Sequence, residues 1–149
     1  VEGKQNANIE KGSITALGGT RTNWARGKDA TQSSTFTSGE ASNAVDGDRT
    51  AVFNFQNAEE NSVTSTDTEI NAWWQVDMNQ DYLIQEVAIY KRLDGYSGRL
   101  LNFDLEILNA AGQSVFKKTF DDTTEGQVLT YKVKDYIGVD YVMGQTCKY

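Results

Sequence analysis

Three groups of residues in this sequence carry side chains able to do chemistry. The first is Lys91-Arg92-Leu93-Asp94-Gly95-Tyr96-Ser97-Gly98-Arg99, three cations close together in an otherwise acidic chain. Guanidinium groups present flat forks of donors to hydroxyl oxygens, and Asp94 is placed to orient one of them. Tyr96 offers a ring face to an apolar patch, and Gly95 and Gly98 permit a tight loop. A solvated hairpin tip has the same composition. The second group is Asn43-Ala44-Val45-Asp46-Gly47-Asp48. Two carboxylates and an amide supply hard oxygen ligands, and inward carbonyls complete a calcium shell of about six to eight oxygens. An Asx-turn explains the same residues through bonds from Asp46 to nearby N–H groups. The third group is the carboxylate pairs Asp46/Asp48, Asp67/Glu69 and Asp121/Asp122. A glycosidase needs two carboxylates about 5–10 Å apart across a cleft. With 21 acidic residues in the chain, adjacent pairs are what a solvated surface produces, and catalysis is the disfavoured reading.

The elements that must position these groups read as strands. Trp74, Val76 and Met78 share one face of a run, with Trp73, Gln75 and Asp77 on the other. Residues 83–90 form a largely apolar run, as expected of a strand buried on both sides. Phe103, Leu105 and Ile107 alternate with Asn102, Asp104 and Glu106; Asn109-Ala110-Ala111-Gly112 is a turn signal; residues 114–120 and 127–133 follow as two more strands. Residues 139–142 read as a short last strand, and residues 40–45 as one helical turn at most. No stretch sustains a helical period over 11 residues. About six strands at this spacing predict an all-β, antiparallel β-sandwich over residues 23–149. Residues 1–22, polar and without periodicity, read as an N-terminal extension or linker that adds at most an edge strand.

Composition removes whole function classes. The chain has 149 residues, one domain's worth, with a formal net charge of −7. That disfavours nucleic acid, whose binding rests on neutralising phosphates, and polybasic membrane attachment. There is no His, so His-based triads, His general bases and His-ligated metals are excluded. A lone Cys, Cys147, excludes intramolecular disulfides and Cys-cluster zinc sites. No apolar run approaches the roughly 20 residues that span a bilayer.

Three blocks carry a resemblance: residues 23–34 (NWARGKDATQSS), 40–47 (EASNAVDG) and 72–77 (AWWQVD). They resemble the discoidin-like galactose-binding domains, and within them the F-type lectins (fucolectins), which also occur as fucose-binding carbohydrate-binding modules. The motif of that family is His, twenty-six residues, Arg-x-Asp, four residues, then Arg or Lys. Arg92, Asp94 and Arg99 match its second half, and residues 100–104 resemble the strand that follows. The resemblance spans residues 23–148 and implies a jelly-roll sandwich. Three positions depart from the pattern. Ser65 stands at the motif His; Gly95 and Tyr96 replace the frequent vicinal cysteines; Lys148 replaces the Glu that often follows the last-strand Cys.

The resemblance implies a non-enzymatic, secreted or cell-surface lectin module that binds fucosylated glycans or glycoproteins. Its sugar site would comprise Arg92, Arg99, Asp94, Tyr96 and Ser65, with Phe53 and Phe55 as further walls. Serine, shorter than histidine, would reach a sugar hydroxyl through water. A structural Ca2+ would be held by Asn43, Asp46, Asp48, Ser62 and the Cys147 carbonyl. Lys148 cannot ligate it and is a candidate to take its place. Membrane contact would come only through glycans, and avidity from multivalency or a larger protein. The competing reading is a discoidin-like interaction module for protein, lipid or another sugar, with fucose binding weakened by Ser65.

Overall fold

The computed structural model describes residues 5–11, 22–121 and 128–149. The alternating runs form two antiparallel sheets that close over one core. The smaller sheet contains β1 (Gln5–Lys11), β2 (Thr22–Asn23), β5 (Glu86–Tyr90) and β8 (Val128–Lys132), in the order β2-β1-β5-β8. The larger contains β3 (Asp29–Gln32), β4 (Trp74–Ile84), β6 (Phe103–Leu108), β7 (Ser114–Phe120) and β9 (Val142–Lys148), in the order β3-β4-β9-β6-β7.

Period-2 alternation works as expected in β4 and β6. Trp74, Val76 and Met78 are buried, as are Phe103, Leu105 and Ile107, while the residues between them are not. They meet Val87 and Ile89 of β5 and Leu129 and Tyr131 of β8 from the other sheet. Trp74 also stacks on Tyr149, ring centroids 4.9 Å apart, and its indole N–H donates to the Ala41 carbonyl at 2.9 Å. That bond ties the larger sheet to the 3₁₀ turn Ala41–Ala44, the single helical turn expected there. The 109–112 turn is closed by Asn109, whose Oδ1 accepts the Ala111 and Gln113 N–H groups, both at 3.0 Å.

Four sequence expectations are corrected. The apolar run 83–90 is not one strand: Ile84 ends β4, Glu86 begins β5, and the chain changes sheet at Gln85. The last strand is not residues 139–142 but Val142–Lys148, central in its sheet between β4 and β6. After β8 comes a short helix, α1 (Val133–Ile137), ended by Gly138 in the left-handed region at φ +71°. Within the segment read as an extension, β1 pairs along β5 and also with β2, so it is interior rather than an edge. The rest of that segment, residues 1–4 and 12–21, lies outside the described residues, as does Asp122.

Candidate functional site

β5 delivers the chain to residues 91–102, which lead into β6. Arg92 stands just past the rigid end of β5 and is only 3% exposed. It grips Asp94 with a two-pronged ion pair: Nε to Oδ1 at 2.8 Å and Nη2 to Oδ2 at 2.5 Å. Asp94 Oδ2 also accepts the Phe53 N–H at 3.0 Å, and the Leu93 N–H donates to the Ala51 carbonyl at 2.9 Å. Two loops distant in sequence are thereby stapled together. Burial alone would raise the Asp94 carboxyl. The Arg92 hydrogen bond, the Phe53 amide and the Arg92 charge outweigh it and hold the group below its ordinary value.

Ala51, at the staple, has φ +69°. A left-handed non-glycine residue costs about 1–2 kcal/mol. It is held there by the Leu93 bond and by Ser62, whose Oγ accepts the Ala51 and Val52 N–H groups at 2.8 and 3.1 Å.

Both guanidinium groups reach Tyr96. The Arg92 Cζ lies 4.7 Å and the Arg99 Cζ 4.1 Å from the centroid of its ring, which is 46% exposed. Phe53 lies 5.2 Å from the Arg92 Cζ and packs with Phe55, centroids 4.7 Å apart. Phe36 completes the cluster, its centroid 6.0 Å from each of those rings. Phe55 is 65% exposed whereas Phe53, at 6%, is a buried support and not an outer wall. The structure thus gathers Arg92, Asp94, Tyr96, Arg99, Phe53 and Phe55. An exposed aromatic rim beside fixed cationic donors suits a small polyol with one apolar edge.

Ser65 is placed differently. It is fully buried, its hydroxyl donates to the Thr66 carbonyl at 3.3 Å, and its main chain bonds to Phe36 and Gly39. It is tied to the main chain of Phe36 and Gly39 instead of facing outward. Two residues overlooked in the sequence belong here. Phe36 sits in a Ser/Thr-rich stretch, where one aromatic was the only signal. Gln32, at the end of β3, donates through Nε2 to the Gly39 and Ser65 carbonyls at 2.9 and 3.3 Å.

The proposed calcium ligands divide. Asp46 Oδ1 accepts the Asp48 N–H at 2.6 Å and Asp48 Oδ1 the Thr50 N–H at 2.8 Å, so Asx-turns are present. Thr50 in turn donates to Ser62 Oγ at 2.9 Å, and the Asn43 amide donates to the Val63 carbonyl at 3.1 Å, so Asn43, Asp46, Asp48 and Ser62 border one loop. Burial, together with the Asp48 charge, pushes the Asp46 carboxyl up, despite the Asp48 amide and the Arg26 charge. The Arg26 guanidinium also packs on Gly47, where a Cβ would meet Nε at 2.7 Å. This donor set, hard oxygens with excess negative charge, fits a divalent cation. Cys147 does not belong with it: it is fully buried in β9 between Val76 and Ile107, its main chain inside the ladder. Lys148 does not replace a cation there either; its Nζ lies 5.2 Å over the Trp73 ring. Of the carboxylate pairs, Glu69 accepts the Ser33 and Ser34 hydroxyls, which lower its pKa, the opposite of what a general acid needs. Among the described residues no cluster of three or more Asp, Glu, Cys or His could hold a metal by itself, and no helix is long and apolar enough to cross a membrane.

Comparison with known proteins agrees with this architecture. A family model described as NedA-like, galactose-binding domain matches residues 43–143. Among curated protein sequences nothing matches. Among solved structures, the lectin domain of lectinolysin, complexed with Lewis B antigen, is 37% identical with a TM-score of 0.73, covering 85% of this chain and 83% of that one. A Streptococcus pneumoniae fucose binding module, SpX-3, is 28% identical with a TM-score of 0.73, covering 85% and 84%. An F-lectin (fucolectin) from the serum of striped bass, Morone saxatilis, is 28% identical with a TM-score of 0.66, covering 85% of this chain and 42% of that one. These neighbours are binding modules without catalysis.

Proposed function

Because the chain belongs to the NedA-like galactose-binding domain family, we propose that it is a lectin module that grips a terminal fucose of extracellular glycans through Arg92 and Arg99. The observation that carries this reading is the approach of both guanidinium groups to the half-exposed Tyr96 ring. Fucose has a methyl edge and clustered hydroxyls. Arg99, at the exposed end of the loop, donates to those hydroxyls. Arg92, fixed by Asp94, is held in one orientation beside it. Tyr96 and Phe55 cover the methyl side, at about 0.8 kcal/mol per buried carbon. Ser65 is left out of the contacting set because it is buried. The test is a glycan array of the wild-type chain with calcium present. Fucose-terminated glycans should be bound, and the same glycans lacking fucose should not. Signal independent of fucose would refute the reading.

The structural neighbours that bind fucose or a fucosylated antigen support the ligand class. A second reading, docking on protein or lipid, is favoured by one feature, the exposed apolar rim of Val52, Phe55 and Leu93 beside the cations. The net charge of −7 opposes anionic lipid. Flotation with phosphatidylserine vesicles separates the two: the lectin reading expects the protein to stay with the soluble fraction.

Calcium in this proposal is structural, held by Asn43, Asp46 and Asp48; the Ser62 hydroxyl, which already accepts from Thr50, Ala51 and Val52, is left out of the set. When bound it would neutralise the Asp46–Asp48 pair and brace the loop that leads to Phe53. A carboxyl whose folded pKa is raised costs stability above that pKa, and the cost is relieved by a proton or a cation. Asp46→Asn keeps the oxygen that caps Asp48. In chelator it should therefore melt at or above wild type. In calcium the wild type should gain about 2.7 kcal/mol at 100 times Kd, and the variant should gain nothing. A thermal melt that does not respond to calcium in the wild type removes the metal.

A further inference from the structure

The end of the sandwich away from Arg92 and Arg99 carries an exposed apolar surface of its own. Two anchors place it. The Val133 N–H, at the start of α1, donates to the Gln85 carbonyl at 2.8 Å. Val142, at the start of β9, pairs with Ile84. Ile84 and Gln85 stand where β4 passes into β5, and β5 delivers Arg92 only at its far end, after Tyr90. The chain between Val133 and Val142 therefore leaves and rejoins the fold at the pole opposite the sugar loops.

All eight residues from 134 to 141 are exposed. Tyr136, Ile137, Val139 and Tyr141 fall among them and Met143 follows on β9, each between 38 and 47% exposed. Apolar side chains gathered in this way and rimmed by charges mark an interaction site, unlike those scattered singly. The surface is also pre-formed. Tyr136 is set edge-on against Phe116 and Phe120, ring centroids 6.1 and 5.4 Å away. With the polar residues between them, these side chains offer about 700 Å² of accessible surface, close to the roughly 800 Å² that each partner gives to a standard interface.

The charges of the patch decide what covers it. Lys132 and Lys134 are balanced by Asp135 and Asp140, in a chain whose net charge is −7. Lys134 and Asp140 stand 3.2 Å apart and are each 70% exposed. The acidic excess lies elsewhere, so this pole is where two copies approach with least repulsion. In a two-fold arrangement the patch meets itself, and the lysines of one copy come to the aspartates of the other. A strongly charged partner would find no net charge here to neutralise, and a lipid interior would strand all four charges.

We infer that residues 134–143 form a self-association face, on which two copies of this chain dock about a two-fold axis. The dimer does not depend on the fucose reading. Where that reading holds, the two sugar sites point away from each other, and one dimer bridges two glycan-bearing surfaces.

Sedimentation equilibrium at roughly 100 µM, above the micromolar end of what interfaces of this size reach, tests it. The wild type should show twice the chain mass. Ile137→Asp and Val139→Lys, both at exposed positions, should sediment as monomers with the circular dichroism of the wild type. Lys134→Glu leaves each patch acidic and should weaken the dimer at least tenfold. Lys134→Glu/Asp140→Lys restores the balance and should recover it. A monomeric wild type overturns the inference, whatever else covers the surface. So does a dimer that Ile137→Asp and Val139→Lys both retain, because its interface would lie elsewhere, and so does a charge swap as weak as Lys134→Glu. No sugar enters the measurement, so its failure leaves the lectin reading untouched.

Discussion

Arg99→Ala is expected to abolish fucose binding while the protein melts within about 1–2 °C of wild type. Arg99 is exposed, at the end of the 3₁₀ turn Ser97–Arg99, with its guanidinium over Tyr96 at 4.1 Å. Exposed substitutions of this kind change stability by roughly 0.5 kcal/mol or less. Hydrogen bonds from a charged donor are worth about 1.5–3 kcal/mol each, so losing two weakens binding at least a hundredfold. A monosaccharide site has no affinity to spare, and titration should show no heat. Arg99→Lys keeps the charge but not the planar fork, and should recover only part of the loss. If Arg99→Ala binds L-fucose like wild type, Arg99 has no part in the site.

The sequence displayed those parts of the fold where one face is buried and the other is not. Trp74, Val76 and Met78, and Phe103, Leu105 and Ile107, announce themselves because burial on one side imposes a period of two. The same logic fails at residues 83–90. Both β4 and β5 are apolar there, and apolarity does not state which sheet a strand joins, so the change of sheet at Gln85 leaves no mark. It fails again at β9, which reads Val-Met-Gly-Gln-Thr-Cys-Lys and yet lies mid-sheet. Gly144 explains part of that composition: a Cβ there would come within 2.4 Å of Ile107 Cγ2 and 2.8 Å of Ile84 Cδ1.

In the site, spacing identified the residues that meet, Arg92, Asp94, Tyr96 and Arg99, because they lie on one short loop. It could not identify their burial. Arg92 is enclosed by partners that arrive from far upstream, Phe53 among them, and Asp94 bonds an amide 41 residues away. Ser65 shows the converse. Counting back from Arg92 places it at the motif position, but its burial depends on how the chain packs against Phe36 and Gly39, and no count reports that.

Burial changes what is expected of Arg92. From the sequence, Arg92→Ala and Arg99→Ala should behave alike, each removing a sugar contact from an intact fold. In the structure they differ. Arg92 is 3% exposed and grips Asp94 with a two-pronged ion pair. Removing one partner of a buried ion pair costs about 3–5 kcal/mol, because the other charge is left behind; Asp94 retains some contact with water, so about 3 kcal/mol is expected. The loss should also spread. Asp94 holds the Phe53 amide, and Phe53 supports Phe55, so the aromatic wall loosens together with the loop. Acid should do the same to the wild type. A carboxyl with a depressed folded pKa contributes stability that is present above its ordinary value of 3.8 and is lost as pH falls through the depressed one. Sugar binding should therefore survive at pH 5 and fail only below pH 4, with quenching of tyrosine fluorescence changing in step. The double variant Arg92→Ala/Asp94→Ala removes the stranded charge and should melt above Arg92→Ala alone, though still without binding. If the double variant is no more stable than the single one, the ion pair does not hold the loop.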